Sequence, residues 1–301
     1  MKAKAPSRSR VLVMRETRAA YLFLLPSLVF FIGFVILPMV LCVYTSFFDS
    51  TMGKDVKDVF IGFQNYQSLL TDQIFHKALW NTCIIVLVSV PVVTIFSLWV
   101  SSAIYRMNGA ALSAFRCIFY LPVVTGSVAV TVVWKWMFNN YYGIFNYVGK
   151  GLGLLQQNIN WLGDSKYALG CIILILLTTS VGQPIVLYVS ALGNVDDSLV
   201  EAAQVDGAND MQLFWKIKWP NIMPTTLYIL VITTINSFQC FALIQLLTSG
   251  GPNHSTDTVM YYIYYTAFKL YKYGYGNAMG VVLAIIIAVL SAVQFKLAQE
   301  K

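Results

Sequence analysis

Long apolar stretches alternate with polar ones along the whole chain. Six are apolar over about 20 residues, the length that crosses ~30 Å of hydrocarbon as a helix. They lie at about Ala20–Phe47, Trp80–Tyr105, Cys117–Phe138, Ala168–Leu192, Thr225–Leu247 and Ala278–Phe295. Pro26, Pro38, Pro91, Pro122 and Pro184 fall inside these stretches. They do not veto helices, because neighbouring helices can satisfy the freed carbonyls. The pattern predicts an all-α membrane protein with about six transmembrane helices. A basic tail at 1–19 precedes a single transmembrane domain at 20–301.

One polar segment, about 193–224, is longer than a turn needs, and it carries two helical patterns of its own. Ser198-Leu199-Val200-Glu201 fits a capping box, in which the Ser198 hydroxyl takes an early amide and Glu201 reaches back to the cap amide. Asp196 and Asp197 put negative charge near that helix start. Leu199, Ala202 and Ala203 fall near one face, and the alanines leave it shallow. Gly207 can end the helix with a positive φ. Asn209 or Asp210 can cap a second helix that presents Met211, Phe214, Trp215 and Ile217, with Pro220 as its terminator. Such a hairpin either lies on the bilayer, anchored by Trp215 and Trp219, or docks something from the aqueous phase.

Composition supports the membrane reading. Of 301 residues, 58% are hydrophobic and 11% charged, against roughly 25% charged in soluble domains. Cys42, Cys83, Cys117, Cys171 and Cys240 all lie in apolar stretches and read as packing residues, with no disulfide implied. His76 and His254 sit far from any cysteine, so neither metal nor cofactor is expected. The first apolar run is too long for a signal-peptide core and is expected to be retained as a span.

The net charge of +7 raises nucleic acid as a partner, but the basic residues flank the spans, where they set topology. Lys2, Lys4, Arg8, Arg10, Arg15, Arg18, Arg106, Arg116, Lys216, Lys218, Lys296 and Lys301 fall on one side, twelve in all. Lys54, Lys57, Lys77, Lys150, Lys166, Lys269 and Lys272 fall on the other, seven in all. The richer side, with both termini and the 193–224 segment, is expected to be cytoplasmic.

Glu201-Ala202-Ala203, Gly207, Ile217 and Pro220 resemble the cytoplasmic "EAA" loop of ABC-importer permeases. Trp219 stands where that family usually has leucine, and Asp196 where a proline often precedes the first helix. The resemblance continues through Gly62-Phe63-Gln64-Asn65-Tyr66, Ala78-Leu79-Trp80-Asn81-Thr82, Tyr120-Leu121-Pro122, Trp134-Lys135-Trp136-Met137-Phe138, Trp161-Leu162-Gly163, Thr248-Ser249-Gly250-Gly251-Pro252 and Tyr262-Ile263-Tyr264. In that order and spacing these pieces look like the carbohydrate-uptake branch. The resemblance implies an inner-membrane permease subunit of a prokaryotic sugar importer. It also implies three partners: a second, similar permease chain, a cytoplasmic ATPase dimer and an extracytoplasmic solute-binding protein. Glu201, Ala202, Ala203, Asp206, Gly207, Ile217 and Pro220 would then form the coupling loop seated in the ATPase. Glu201 would pair there with a basic residue, a role compatible with capping.

The chain has no G-x-x-x-x-G-K-[ST] phosphate loop, so ATP hydrolysis is expected on a separate subunit and the chain itself is not an enzyme. Apart from Lys135, which can snorkel from the outer end of its span, charges are absent at mid-depth. That argues for a neutral substrate. Gln183, Thr233, Asn236 and Gln239 are polar mid-span residues, with Thr178, Thr179 and Ser180 nearby, and Tyr188, Phe238 and Phe241 can offer aromatic faces to a sugar. The competing reading makes the amides interhelical glue at ~1 kcal/mol per contact. The rival function is a self-sufficient secondary carrier for a small polar solute. Such carriers usually bury carboxylates in their spans, whereas every acidic residue here falls in a loop, a tail or a span end.

Overall fold

A computed structural model of the chain describes residues 10–51 and 58–299. Part of the basic tail (Lys2, Lys4, Arg8), Lys54, Lys57 and Lys301 lie outside the described residues. Among the latter, five helices are long and apolar enough to cross a membrane: Ala20–Thr45, Gln73–Ile104, Ala168–Gly193, Asp210–Leu247 and Tyr273–Leu297. Gly109–Val124 and Ser127–Met137, taken as one span, make six.

That third span departs from the continuous helix predicted at Cys117–Phe138, because its halves meet at 94°. Pro122 has no amide to extend the ladder. Thr125 is extended at φ −75°, ψ 125°, and its hydroxyl donates to the Leu121 carbonyl at 2.8 Å, closing the first half. Gly126 then starts the second half.

The second span is the axis of the bundle. Ile85, Ser89, Val93, Ser97, Val100, Ser101 and Ile104 recur at helical spacing and are buried. Ser97 Oγ donates to the Val181 carbonyl at 3.3 Å and Ser101 Oγ to that of Ile185 at 3.0 Å, bonding the second span to the fourth. Small residues bring the backbones close there. Gly182 brings the fourth span equally close to the third: a Cβ on it would run into the Phe119 carbonyl oxygen and sit 2.8 Å from Val123 Cγ2.

Pro38, inside the first span, and Pro220, expected to end the second hairpin helix, are both absorbed by π turns. Ile32–Ile36 precedes Pro38, and Phe214–Lys218 precedes Pro220. The Leu37 amide reaches back to Ile32, and the Trp219 amide to Phe214. The wider turn shifts the ladder by one residue just before the ring that cannot donate.

At the end of the bundle opposite the 193–224 segment, Asp72 caps the second span. Its carboxylate accepts from the Ile74 and Phe75 amides at 2.9 and 3.1 Å, and from the hydroxyls of Tyr262 and Tyr275 at 2.8 and 2.7 Å. One side chain thus ties together the second span, the short helix Val259–Tyr264 and the sixth span. The first span is different. Its apolar window is uncovered by the rest of the chain, and it is tied chiefly at its last turn, where Asn277 Nδ2 donates to Thr45 Oγ1 at 2.7 Å.

Candidate functional site

The 193–224 segment forms two helices, but with different caps from those predicted. Asp196, not Ser198, is the N-cap: its Oδ1 accepts from the Ser198 amide at 2.9 Å, and the Ser198 hydroxyl, with that amide, holds its carboxyl below the ordinary value. The helix Asp197–Val205 therefore begins one residue before Ser198, so Ser198 and Glu201 do not form a capping box and the Glu201 side chain points to solvent. An aspartate cap two residues earlier wins because its short carboxylate reaches the amide two residues on. The reciprocal capping box belongs to the second helix, between Asn209 and Gln212. Gly207 ends the first helix at φ +82°. Its amide bonds the Gln204 carbonyl at 3.0 Å and the Ala208 amide bonds that of Ala203 at 2.9 Å, the paired bonds of a Schellman stop. Asp206 is the C-cap.

Pro220 does not end the second helix. Through the π turn, Asp210–Leu213 runs on into Trp219–Phe238. Ile217 is half-buried on that turn.

Glu201, Ala202, Asp206 and Gly207 are exposed. Beside them Leu199 is 50% exposed and Val205 88%. Leu199, Ala202 and Val205 follow one another at a spacing of three and make an apolar stripe with nothing over it. Val205 was missed in the sequence reading, although its place three residues after Ala202 marks it. Exposed Met211 (67%) and Trp215 (54%) add apolar surface on the second helix.

The predicted mid-span residues divide into two groups. Gln183, Thr233 and Asn236 line one cavity of about 160 Å³, together with Val123, Thr179 and Ser180. Gln239 and Phe241 line another of about 330 Å³ with Thr125, Ser127 and Thr179. Val123 and Thr179 border both, so the two are adjacent. The breaks in the third span (Thr125), the fourth (Val181, beside Ser180) and the fifth (Gln239–Phe241) all meet here. Gln183, Asn236 and Gln239 are exposed, and their side-chain amides make no hydrogen bond within the described chain. Neither lining contains a carboxylate, ammonium or guanidinium group.

Tyr188 and Phe238 do not join them. Each is at most 1% exposed and packs in a core cluster, Tyr188 with Leu192, Ile222 and Ile229, Phe238 with Ala278 and Met279. Their helical phase turns them inward, a distinction that depth along the span does not reveal. Phe241, in contrast, is half-buried at the break, with its ring 4.8 Å from that of Tyr264.

Several loop motifs at the end of the bundle opposite the 193–224 segment prove to be staples. Trp161 Nε1 donates to Asn146 Oδ1 at 3.0 Å, and Asn146, 2% exposed, also bonds Asn140 and Ile159. Gly250, at φ +82°, leaves no room for a Cβ beside the Asp257 carboxylate. Asn81 Nδ2 donates to the Asp257 carbonyl at 3.0 Å, and Lys77 Nζ to that of Asn253 at 2.7 Å. Burial pushes the Asp257 carboxyl up, and its contact with His254 opposes that.

A family model described as "Binding-protein-dependent transport system inner membrane component" matches residues 73–299. The multiple sugar-binding transport system permease protein MsmF of Streptococcus mutans is 32% identical over 279 residues, covering 92% of this chain and 94% of that protein. The lactose transport system permease protein LacF of Rhizobium radiobacter is 30% identical over 288 residues, covering 93% and 94%. Among solved structures, a chain of a bacterial ABC transporter involved in import of the acidic polysaccharide alginate superposes with a TM-score of 0.81 at 23% identity, covering 97% of this chain and 99% of that one, a likeness of fold.

Proposed function

The chain belongs to the binding-protein-dependent transport system inner membrane components, and on that premise we propose that it is one permease subunit of an ATP-driven importer of a neutral sugar or oligosaccharide. It is a multi-pass membrane protein. The proposed complex contains a second permease, an ATPase pair and a solute-binding protein. The sugar class rests on relatives named for multiple-sugar and lactose transport. Neutrality rests on cavities lined by amides, hydroxyls and an aromatic edge without a charged group. The lysine and arginine bias supports a cytoplasmic position for both termini and the helical hairpin.

The observation that carries the reading is the hairpin itself. It presents an uncovered stripe of Leu199, Ala202 and Val205 beside a glycine held at positive φ. The chain has no phosphate loop of its own. A surface of that kind, on a membrane protein that must be driven by ATP bound elsewhere, is a seat for the ATPase. Gly207→Pro tests it, because proline holds φ near −65° and cannot adopt +82°. In proteoliposomes containing the whole transporter, ATP hydrolysis should persist while sugar uptake is lost. Uptake at the wild-type rate would refute the coupling role.

A further inference from the structure

The hairpin joins the bundle through the packing of Trp219 and Ile222 at the start of the fifth span. Among the described residues, one side-chain hydrogen bond joins 196–224 to a residue more than four positions away along the chain: Lys218 Nζ donates to Tyr105 Oη at 2.7 Å. Tyr105 follows the last turn of the second span. Its ring lies at a junction, packed against the cluster of Val93, Val100 and Ile185 and also against that of Tyr188, Ile222 and Ile229. Lys218 is the last residue of the π turn that carries the second hairpin helix into the fifth span. Lys216, two residues earlier, is exposed, whereas Lys218 is half-buried. The Arg106 guanidinium lies 5.5 Å from the Tyr105 ring centre and leaves the hydroxyl to the lysine.

The geometry points to Lys218 and Tyr105 as positioning residues that transmit hairpin movement to the second span. A push on the hairpin moves the fifth span directly, through continuous backbone. The second span, the axis of the bundle, packs directly along the fifth, and at the hairpin end this charge-assisted bond, stronger and more directional than a neutral one, fastens the two together. The inference rests on the reading of the hairpin as an ATP-driven lever.

The test uses the whole transporter reconstituted with its ATPase and binding protein, and reads sugar molecules transported per ATP hydrolysed. Tyr105→Phe keeps the ring in both clusters and removes only the acceptor. It should lower that ratio roughly tenfold, the factor expected for a lost hydrogen bond to a charged group. Lys218→Met should do the same, the double variant no worse, and Lys218→Arg, which keeps a donor, should restore most of it. A purely structural role would change the amount of assembled transporter and leave the ratio untouched. A wild-type ratio in Tyr105→Phe overturns the link. Gly207→Pro run alongside separates the two ideas: if it uncouples while Tyr105→Phe does not, the link alone falls. If neither uncouples, the lever falls with it.

Discussion

Asp72→Asn isolates the tie between three elements at the end of the bundle opposite the hairpin. The carboxylate spends Oδ1 on the Ile74 and Phe75 amides and Oδ2 on the hydroxyls of Tyr262 and Tyr275. Asparagine caps a helix about as well as aspartate, so its single carbonyl stays with the amides. The two phenols then face an NH₂ group that cannot accept. Hydrogen bonds to a charged group contribute ~1.5–3 kcal/mol each, and phenols able to turn to water recover part of that, so the expected loss is about 2 kcal/mol. Thermal unfolding of the purified protein in detergent, followed by tryptophan fluorescence, should show a melting temperature several degrees lower at pH 7. Burial alone would raise the Asp72 pKa, but the bonds from Tyr275, Phe75, Tyr262 and Ile74 together hold it below its ordinary 3.8. A depressed folded-state value contributes stability above pH ~4 that is lost as pH falls through it. The gap between wild type and Asp72→Asn should therefore close below pH 3.8. Equal melting temperatures at pH 7, or a gap that persists in acid, would refute the account.

Two substitutions probe the membrane interior. Gly182→Ala forces apart the third and fourth spans at the Phe119 carbonyl and should cost about 1–3 kcal/mol, as overpacking does, read by the same unfolding measurement; wild-type stability would mean the two backbones are not held at that distance. Asn236→Leu removes an unpaired amide from the cavity wall while keeping volume, so uptake affinity should fall several-fold with unfolding temperature unchanged, and the opposite pattern would make Asn236 interhelical glue.

Much of the architecture could be read from the chain because spans are written as length and hydropathy, and these need no partner. The hairpin was legible for a similar reason: capping residues and a stop glycine act locally. What the sequence hid were choices between neighbours. Asp196 and Ser198 are both competent caps for the first helix, and Asn209 and Asp210 for the second, and which one closes depends on a shift of one or two residues in helix start. Tyr188 and Gln183 lie five residues apart in one span, yet one is packed in the core and the other lines the cavity. Helical phase decides that, and an almost uniformly apolar helix gives no moment from which to read it. The bend at Thr125 had a signal, Pro122 followed by Gly126. In a membrane span that signal is ambiguous, since prolines are tolerated there. The fourth-span Pro184 and the third-span Pro122 look alike in sequence and end in bends of different size.

Pro220 has the largest consequence for function. As a terminator it would have made the hairpin a separate body hinged to the fifth span. With the π turn in front of it, the helix that begins at Asp210 continues to Phe238. At ~1.5 Å per residue that is a rod of roughly 40 Å. One end lies beside the uncovered stripe of the hairpin, and the other carries Thr233, Asn236 and Gln239 on the cavity wall. If the hairpin is the lever proposed above, force on it would reach the cavity wall as tilt or rotation of a single helix. The same helix packs along the second span, and a side-chain bond fastens the two at the hairpin end. There the chain supplies Lys218, on the π turn itself, and Tyr105. The π turn therefore does two jobs: it keeps the rod continuous through a proline, and it holds the lysine that reaches Tyr105.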